Sequence, residues 1–185
     1  MLRHAKSSWD NPNLDDFSRP LAPRGINACK LMKTYIENNP VRPDLILCSS
    51  SKRTQETYLL LADAFNRKTE VRFEYDLYES GSQELLKRLR KVDGKVSSVM
   101  MIGHNPGLEH LALVLTSGKE SKPLAKMREK FPTLALASIK ISKGGWISAG
   151  PGRAKLKEFI TPHDLDMEFS TRGDVMPNRS SDMQK

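Results

Sequence analysis

Short continuous apolar runs alternate along the chain with longer stretches in which apolar residues recur every three or four positions. From Gly25 to Asn39, Ile26, Cys29, Met32, Tyr35 and Ile36 fall at helical spacing, which predicts an amphipathic helix ended by Pro40 and Pro43. Asp44 to Cys48 is a continuous apolar run, the pattern of a strand buried on both faces. A second helix is predicted over Lys52–Asn66, with Leu60, Leu61, Ala64 and Phe65 inward. Glu70 to Glu74 alternates around Val71 and Phe73 like a strand, and Gln83 to Val92 returns to helical spacing with Leu85, Leu86 and Leu89. Ser98 to Ile102 is a second buried strand. It leads into the loop Gly103-His-Asn-Pro-Gly107 and a helix to Leu115, for which Pro106 suits the first turn.

The last third predicts strands over Thr133–Ile141 and Gly145–Ala149, and a short helix or strand over Arg153–Ile160. Lys119 to Lys130, with five basic and two acidic residues, reads as a solvated helix or loop. Beyond Leu165 the periodicity fades, so residues 166–185 are expected to be a disordered tail outside a single domain of residues 1–165. Buried strands alternating with helices indicate an α/β domain with a mostly parallel central sheet.

Composition narrows the class. No apolar run approaches the ~20 residues of a membrane span, and no apolar segment of signal-peptide type follows Met1. Two cysteines, Cys29 and Cys48, make neither a disulfide framework nor a zinc site, so a reducing, cytoplasmic setting is expected. The 185 residues carry a net charge of +8. Residues 1–165 hold +9 of it and the tail −1, so the excess belongs to the domain and not to a basic arm. Aromatic residues make up only 6% of the chain and no recognition motif stands out, which disfavours a specific nucleic-acid binder.

In parallel sheets ligands bind beyond the carboxyl ends of the strands. Arg3-His4, Ser49 to Arg53 and Gly103-His104-Asn105 sit at such places. Two arginines and two histidines brought to one edge make a phosphate pocket, because guanidinium groups match phosphate oxygens in a planar fork. A neutral histidine is a competent nucleophile, and a second, protonated one would stabilise charge on a phosphoryl group in transfer. No cage of carboxylates surrounds these positions, so neither a metal nor another cofactor is called for. A cysteine phosphatase loop would need five residues between Cys48 and its arginine, and only four precede Arg53.

Leu2-Arg-His-Ala-Lys-Ser-Ser-Trp9 resembles the opening motif of the histidine phosphatase superfamily, in particular its SixA-type phosphohistidine phosphatase branch. The resemblance continues in order through Arg19-Pro-Leu21, Arg24-Gly25, Leu47 to Thr54, Leu77-Tyr-Glu79, Ile102 to Leu108, Phe131-Pro-Thr133, Trp146 and Phe159 to Leu165. It implies a phosphoglycerate mutase-like, three-layer α/β/α sandwich. It also implies a phosphatase in which His4 becomes a phosphohistidine intermediate while Arg3, Arg53 and His104 form the phosphate pocket. Glu79 stands where relatives often carry a general acid. Asn105 is a candidate to orient His104, and Lys6, Ser7 and Arg19 to line the entrance. The expected substrate is phosphohistidine on a protein domain or a small phosphorylated compound, with the enzyme a monomer. A broad phosphomonoesterase and a catalytically weak phosphoprotein-binding module are the competing readings.

The resemblance also implies a full apolar strand ahead of the Arg-His pair, where this sequence has only Met1 and Leu2. The first strand is therefore expected to be largely missing. The expectation that follows is either a chain start placed a few residues late or a marginal fold of weak activity, since four buried side chains contribute ~1.5–3 kcal/mol each.

Overall fold

The computed structural model describes residues 1–118 and 120–172, with side chains as far as 167. A six-stranded sheet runs in the order β3 (Glu70–Glu74), β2 (Leu45–Ser49), β4 (Val99–Gly103), β1 (Leu2–Arg3), β5 (Leu136–Ile141) and β6 (Ala154–Ile160). The pairings from β3 to β1 are parallel, and those of β5 with β1 and β6 are antiparallel.

The continuous apolar runs have the meaning that strand geometry gives them, because successive side chains point to opposite faces. Ile46, Cys48, Met100 and Ile102 pack on one face beneath α1 (Pro23–Asn38), Leu61 of α2 (Lys52–Leu61) and Leu165 of α6 (Pro162–Arg172). Leu45, Leu47 and Met101 pack on the other beneath α3 (Ser82–Arg90) and α4 (Gly107–Leu115). The result is the three-layer sandwich that the resemblance implies.

Two glycines let helices start hard against the loops beyond the sheet edge. A Cβ on Gly25 would lie 2.2 Å from the Lys6 carbonyl oxygen, and one on Gly107 2.0 Å from that of Ser80. Among the described residues no helix is long and apolar enough to cross a membrane.

Several predicted elements are corrected. The strand expected over Thr133–Ile141 begins only at Leu136, because Leu134 adopts φ 61° and the Ala135 amide turns back to the Pro132 carbonyl. The strand expected around Trp146 is a single 3₁₀ turn, Trp146–Ser148, entered through Gly145 at φ 69°. Within the basic segment, α5 (Lys122–Glu129) buries Leu124 and Met127 against Phe131 and Phe159, so it is a packed element and not only a solvated one. Arg153–Ile160 resolves to a strand. The boundary expected after Leu165 falls inside α6, and the rest of the expected tail, 173–185, lies outside the described residues.

Candidate active site

β1, β2 and β4 are parallel, so their carboxyl ends meet at one edge of the sheet. Arg3 ends β1 and His4 follows it, Arg53 lies in the first turn of α2, and His104 follows β4. The backbone fixes His4 from both sides: its amide donates to the Gly103 carbonyl (3.0 Å) and its carbonyl accepts from Leu134 (3.0 Å). Thr57 ties the loop to the helix, accepting from the Ala5 amide (3.0 Å) and donating to the Arg53 carbonyl (2.7 Å).

The His4 Nδ1 lies 2.7 Å from the Ala5 carbonyl oxygen. A carbonyl only accepts, so Nδ1 carries the proton and Nε2 holds the lone pair. Burial pulls the ring's pKa down to about 3, with His104, Arg53 and Arg3 adding to that effect against the Ala5 hydrogen bond. His4 is therefore a neutral imidazole with the lone pair on Nε2.

The two imidazole centroids are 5.1 Å apart. The His104 Nδ1 faces the Arg53 Nη2 at 3.3 Å, and Arg only donates. The proton of His104 is accordingly on Nε2, which donates to the Ser49 hydroxyl at 2.9 Å. Burial first, then Arg53 and Arg3, bring the His104 pKa down to about 3, with Asp16 opposing. These surroundings favour the neutral form of His104. A dianion placed beside the ring would favour its protonated form.

Arg53 is buried and makes its contacts with Asp16. Its Nη2 donates to the Asp16 carboxylate at 2.7 Å and its Nη1 to the Asp16 carbonyl. The same carboxylate accepts from the Tyr78 hydroxyl at 2.8 Å and from Arg19 at 2.7 Å. Burial pushes the Asp16 pKa up, but the Tyr78, Arg53 and Arg19 hydrogen bonds outweigh it and hold the group ionised below the usual carboxylate range. Tyr78 stands edge-on to His104 at 5.4 Å and packs against Phe17 at 5.0 Å, an aromatic wall beside Arg53 and His104.

Arg3 donates from Nη1 to the Phe131 carbonyl at 2.7 Å, while its buried Nε has no partner. The buried Asn105 Oδ1 is likewise without one. Buried polar atoms are nearly always paired, so these two atoms, on the residues next to His4 and His104, are exceptions among the described residues.

The other candidates fall as follows. The Asn105 amide donates to Glu109 (2.8 Å) and to the Phe131 carbonyl (3.1 Å), so it steadies the Arg3 partner and does not touch the His104 ring. Ser7 is buried and accepts from Arg19 at 2.8 Å. Arg19 also donates from Nε to the Ser8 carbonyl and from Nη1 to Asp16, and it stacks on the exposed Trp9 ring at 3.2 Å, so it clamps the loop. Lys6 is exposed. Glu79 is exposed at φ 49°, and among the described residues no hydrogen bond or ion pair joins it to the cluster. The carboxylate that does touch the cluster is Asp16, which the sequence reading passed over. Its signal was its place three residues before Arg19, hidden in the aperiodic stretch Asp10–Ser18.

Comparisons with known proteins agree with this fold. A model of the histidine phosphatase superfamily (branch 1) matches residues 1–93. An uncharacterized protein of Mycobacterium tuberculosis is 32% identical over 163 residues, covering 87% of this chain and 99% of that protein. The chain belongs to the histidine phosphatase superfamily. Among named relatives, the phosphohistidine phosphatase SixA of Escherichia coli is 25% identical over 147 residues, which cover 78% of this chain and 86% of that one. The solved structure of the protein histidine phosphatase SixA complexed with tungstate superposes with a TM-score of 0.71 at 23% identity, covering 89% of this chain and 96% of that one. It shares the fold.

Proposed function

We propose that this phosphatase cleaves phosphohistidine, carried on a protein domain or on a small compound, by way of a phosphorylated His4. One observation carries the reading: the Ala5 carbonyl pins the proton of a buried, neutral His4 on Nδ1 and leaves Nε2 as nucleophile within a cluster of Arg3, Arg53 and His104. In the first half-reaction, Nε2 forms a bond to phosphorus as the P–N bond of the substrate breaks. In the second, water attacks that phosphorus, the bond to His4 breaks, and inorganic phosphate leaves with release of a proton. Positioning and charge neutralisation by the two arginines supply most of the catalysis in such transfers.

The leaving group explains why the substrate is a phosphoramidate. The carboxylate in contact with the cluster, Asp16, is held ionised and cannot donate a proton. An alkoxide needs such a donor. An imidazole protonated at its other nitrogen, which titrates near neutrality, leaves as a neutral ring. Measured side by side, kcat/KM for a phosphohistidine substrate is expected to exceed that for an alkyl phosphate by on the order of 10²–10⁴, the usual contribution of general acid catalysis. Comparable values would favour a broad phosphomonoesterase. Tight binding with no turnover of either would favour a phosphoprotein-binding module.

Asp16 also has a consequence for affinity. Its carboxylate occupies an Arg53 Nη2 donor that a phosphate would use, so the two anions compete. Asp16→Asn is expected to bind inorganic phosphate about tenfold more tightly, a difference of about 1.4 kcal/mol. Competitive inhibition by phosphate measures it. Weaker binding would instead make Asp16 the residue that holds Arg53 in place.

A further inference from the structure

Arg53 and Asp16 hold each other where the cluster opens to solvent. The guanidinium is buried, whereas the Asp16 side chain keeps 41% of its surface exposed. Oδ2 of that carboxylate accepts from Arg53 Nη2 and from the Tyr78 hydroxyl, and Oδ1 accepts from Arg19 Nη1. A carboxylate has about four acceptor positions, so one on Oδ1 has no partner among the described residues. The surroundings are aromatic. Phe17, the next residue, packs on Tyr78 at 5.0 Å and on the exposed Tyr75 at 5.5 Å, and the two tyrosine rings lie 6.2 Å apart. An accessible carboxylate flanked by aromatic faces is a combination that holds a planar cation.

An anion on the arginine of a phosphate pocket works against phosphate binding, and a site meant for an anion alone gains nothing from it. It gains when the ligand carries both charges. Phosphohistidine does so: its phosphoryl oxygens are anionic, and its ring, protonated at the nitrogen that bears no phosphorus, is a planar cation. In-line displacement puts the leaving group on the side of phosphorus away from the nucleophile. His4 is buried, so the substrate's ring departs toward solvent, the side on which the Asp16 carboxylate and Tyr75 are exposed.

We propose that the substrate exchanges the Arg53–Asp16 ion pair for two pairs of its own: its phosphoryl oxygens take Arg53, and the ring N–H of its imidazolium takes Asp16, with the ring face against Tyr75. The inference rests on the phosphohistidine reading and makes Asp16 the residue that selects a cationic leaving group. As His4 Nε2 bonds to phosphorus, the P–N bond of the substrate breaks and its electron pair returns to the substrate nitrogen. The imidazolium thereby becomes a neutral imidazole that keeps its N–H on Asp16. His4 becomes the charged ring, with its own N–H on the Ala5 carbonyl. No proton moves in this step, because nucleophile and leaving group are the same ring with an acceptor on the nitrogen remote from phosphorus. An alkyl phosphate brings no cation and leaves the carboxylate facing a phosphoryl dianion.

The test is titration calorimetry at about pH 6, below the ~6.5 at which a free imidazole titrates, so that it reads binding and not turnover. Two ligands are compared: inorganic phosphate, and imidazol-4-ylmethylphosphonate, whose P–C bond is not cleaved. Asp16→Asn is expected to tighten phosphate about tenfold and to weaken the phosphonate about tenfold. Asp16→Glu, which keeps the charge, is expected to recover most of the phosphonate affinity. Tyr75→Ala is expected to weaken the phosphonate roughly two- to fivefold, and Tyr75→Phe to restore it. Shifts in one direction for both ligands are what an Asp16 that only holds Arg53 in place would give, and they would overturn the proposal. An unchanged phosphonate affinity in Asp16→Asn would do the same. Crossed affinities in a protein that does not turn phosphohistidine over would refute its cleavage and leave this subsite standing. Turnover without the crossing would refute the subsite and leave the cleavage standing.

Discussion

His4→Ala is expected to lose turnover by at least on the order of 10⁴-fold, the scale on which removing a nucleophile acts. The wild-type protein, quenched with alkali after exposure to a ³²P-labelled phosphohistidine substrate, is expected to retain label on His4. The variant is expected to retain none. Retained label would place the nucleophile elsewhere, and His104 is the first residue to examine. Folding separates from chemistry here through acid stability. In the unfolded chain an imidazole takes up a proton near pH ~6.5, whereas burial holds both His4 and His104 to about 3 in the fold. The unfolded state thus binds more protons across that window, and stability falls as pH drops through it. Removing His4 deletes one of the two groups, so the acid-unfolding midpoint of His4→Ala should move to lower pH even as activity vanishes. A simple loss of fold would move it the other way.

Much of the architecture was legible because burial on both faces leaves an unambiguous trace. Leu45 to Cys48 and Val99 to Ile102 read as continuous apolar runs, and each proved to feed two separate cores by strict alternation. The site was legible for a related reason: Arg53 and His104 come shortly after strands that could be recognised, while Arg3-His4, with only Met1 and Leu2 ahead of it, was recognised through the resemblance. The misreadings fall where tertiary contact overrides local pattern. Thr133 to Ala135 have strand-like neighbours, but the chain must pass under His4, and it does so through a turn with Leu134 at positive φ. The segment around Trp146 is apolar because the indole packs on the core and donates to the Val96 carbonyl at 2.6 Å, not because it pairs as a strand. Asp16 was hard to see because, apart from Arg19 three positions on, its partners Arg53 and Tyr78 lie 37 and 62 positions away, and nothing periodic surrounds it. Glu79 drew attention by position in a resembling motif; it is exposed at φ 49°, beside Tyr78, and no hydrogen bond or ion pair among the described residues joins it to the cluster.

Arg53→Ala carries the second large effect, and its signature differs from that of His4. Arg53 is the residue through which the parts of the site meet: its guanidinium contacts Asp16, faces His104 at 3.3 Å, and lies 5.7 Å from the Tyr78 ring centre. Its loss removes a positive charge from where the equatorial phosphoryl oxygens gather, so kcat/KM is expected to fall by on the order of 10³-fold, the lower end of what a transition-state arginine contributes. His4 should still accept label, slowly, because the nucleophile is intact. The same substitution acts on the imidazoles. Arg53 is among the groups that lower the pKa of both His4 and His104, so both should titrate at higher pH in the variant, with His104, which it faces directly, moving further. Ring proton shifts followed by NMR across pH 3–8 measure this. Arg53→Lys separates charge from geometry. Lysine keeps the positive charge but presents a point donor where arginine presents a planar fork. It should therefore restore most of the imidazole titration and only a small part of kcat/KM. Full recovery of activity with lysine would mean that the fork contributes nothing and that charge alone holds the phosphate.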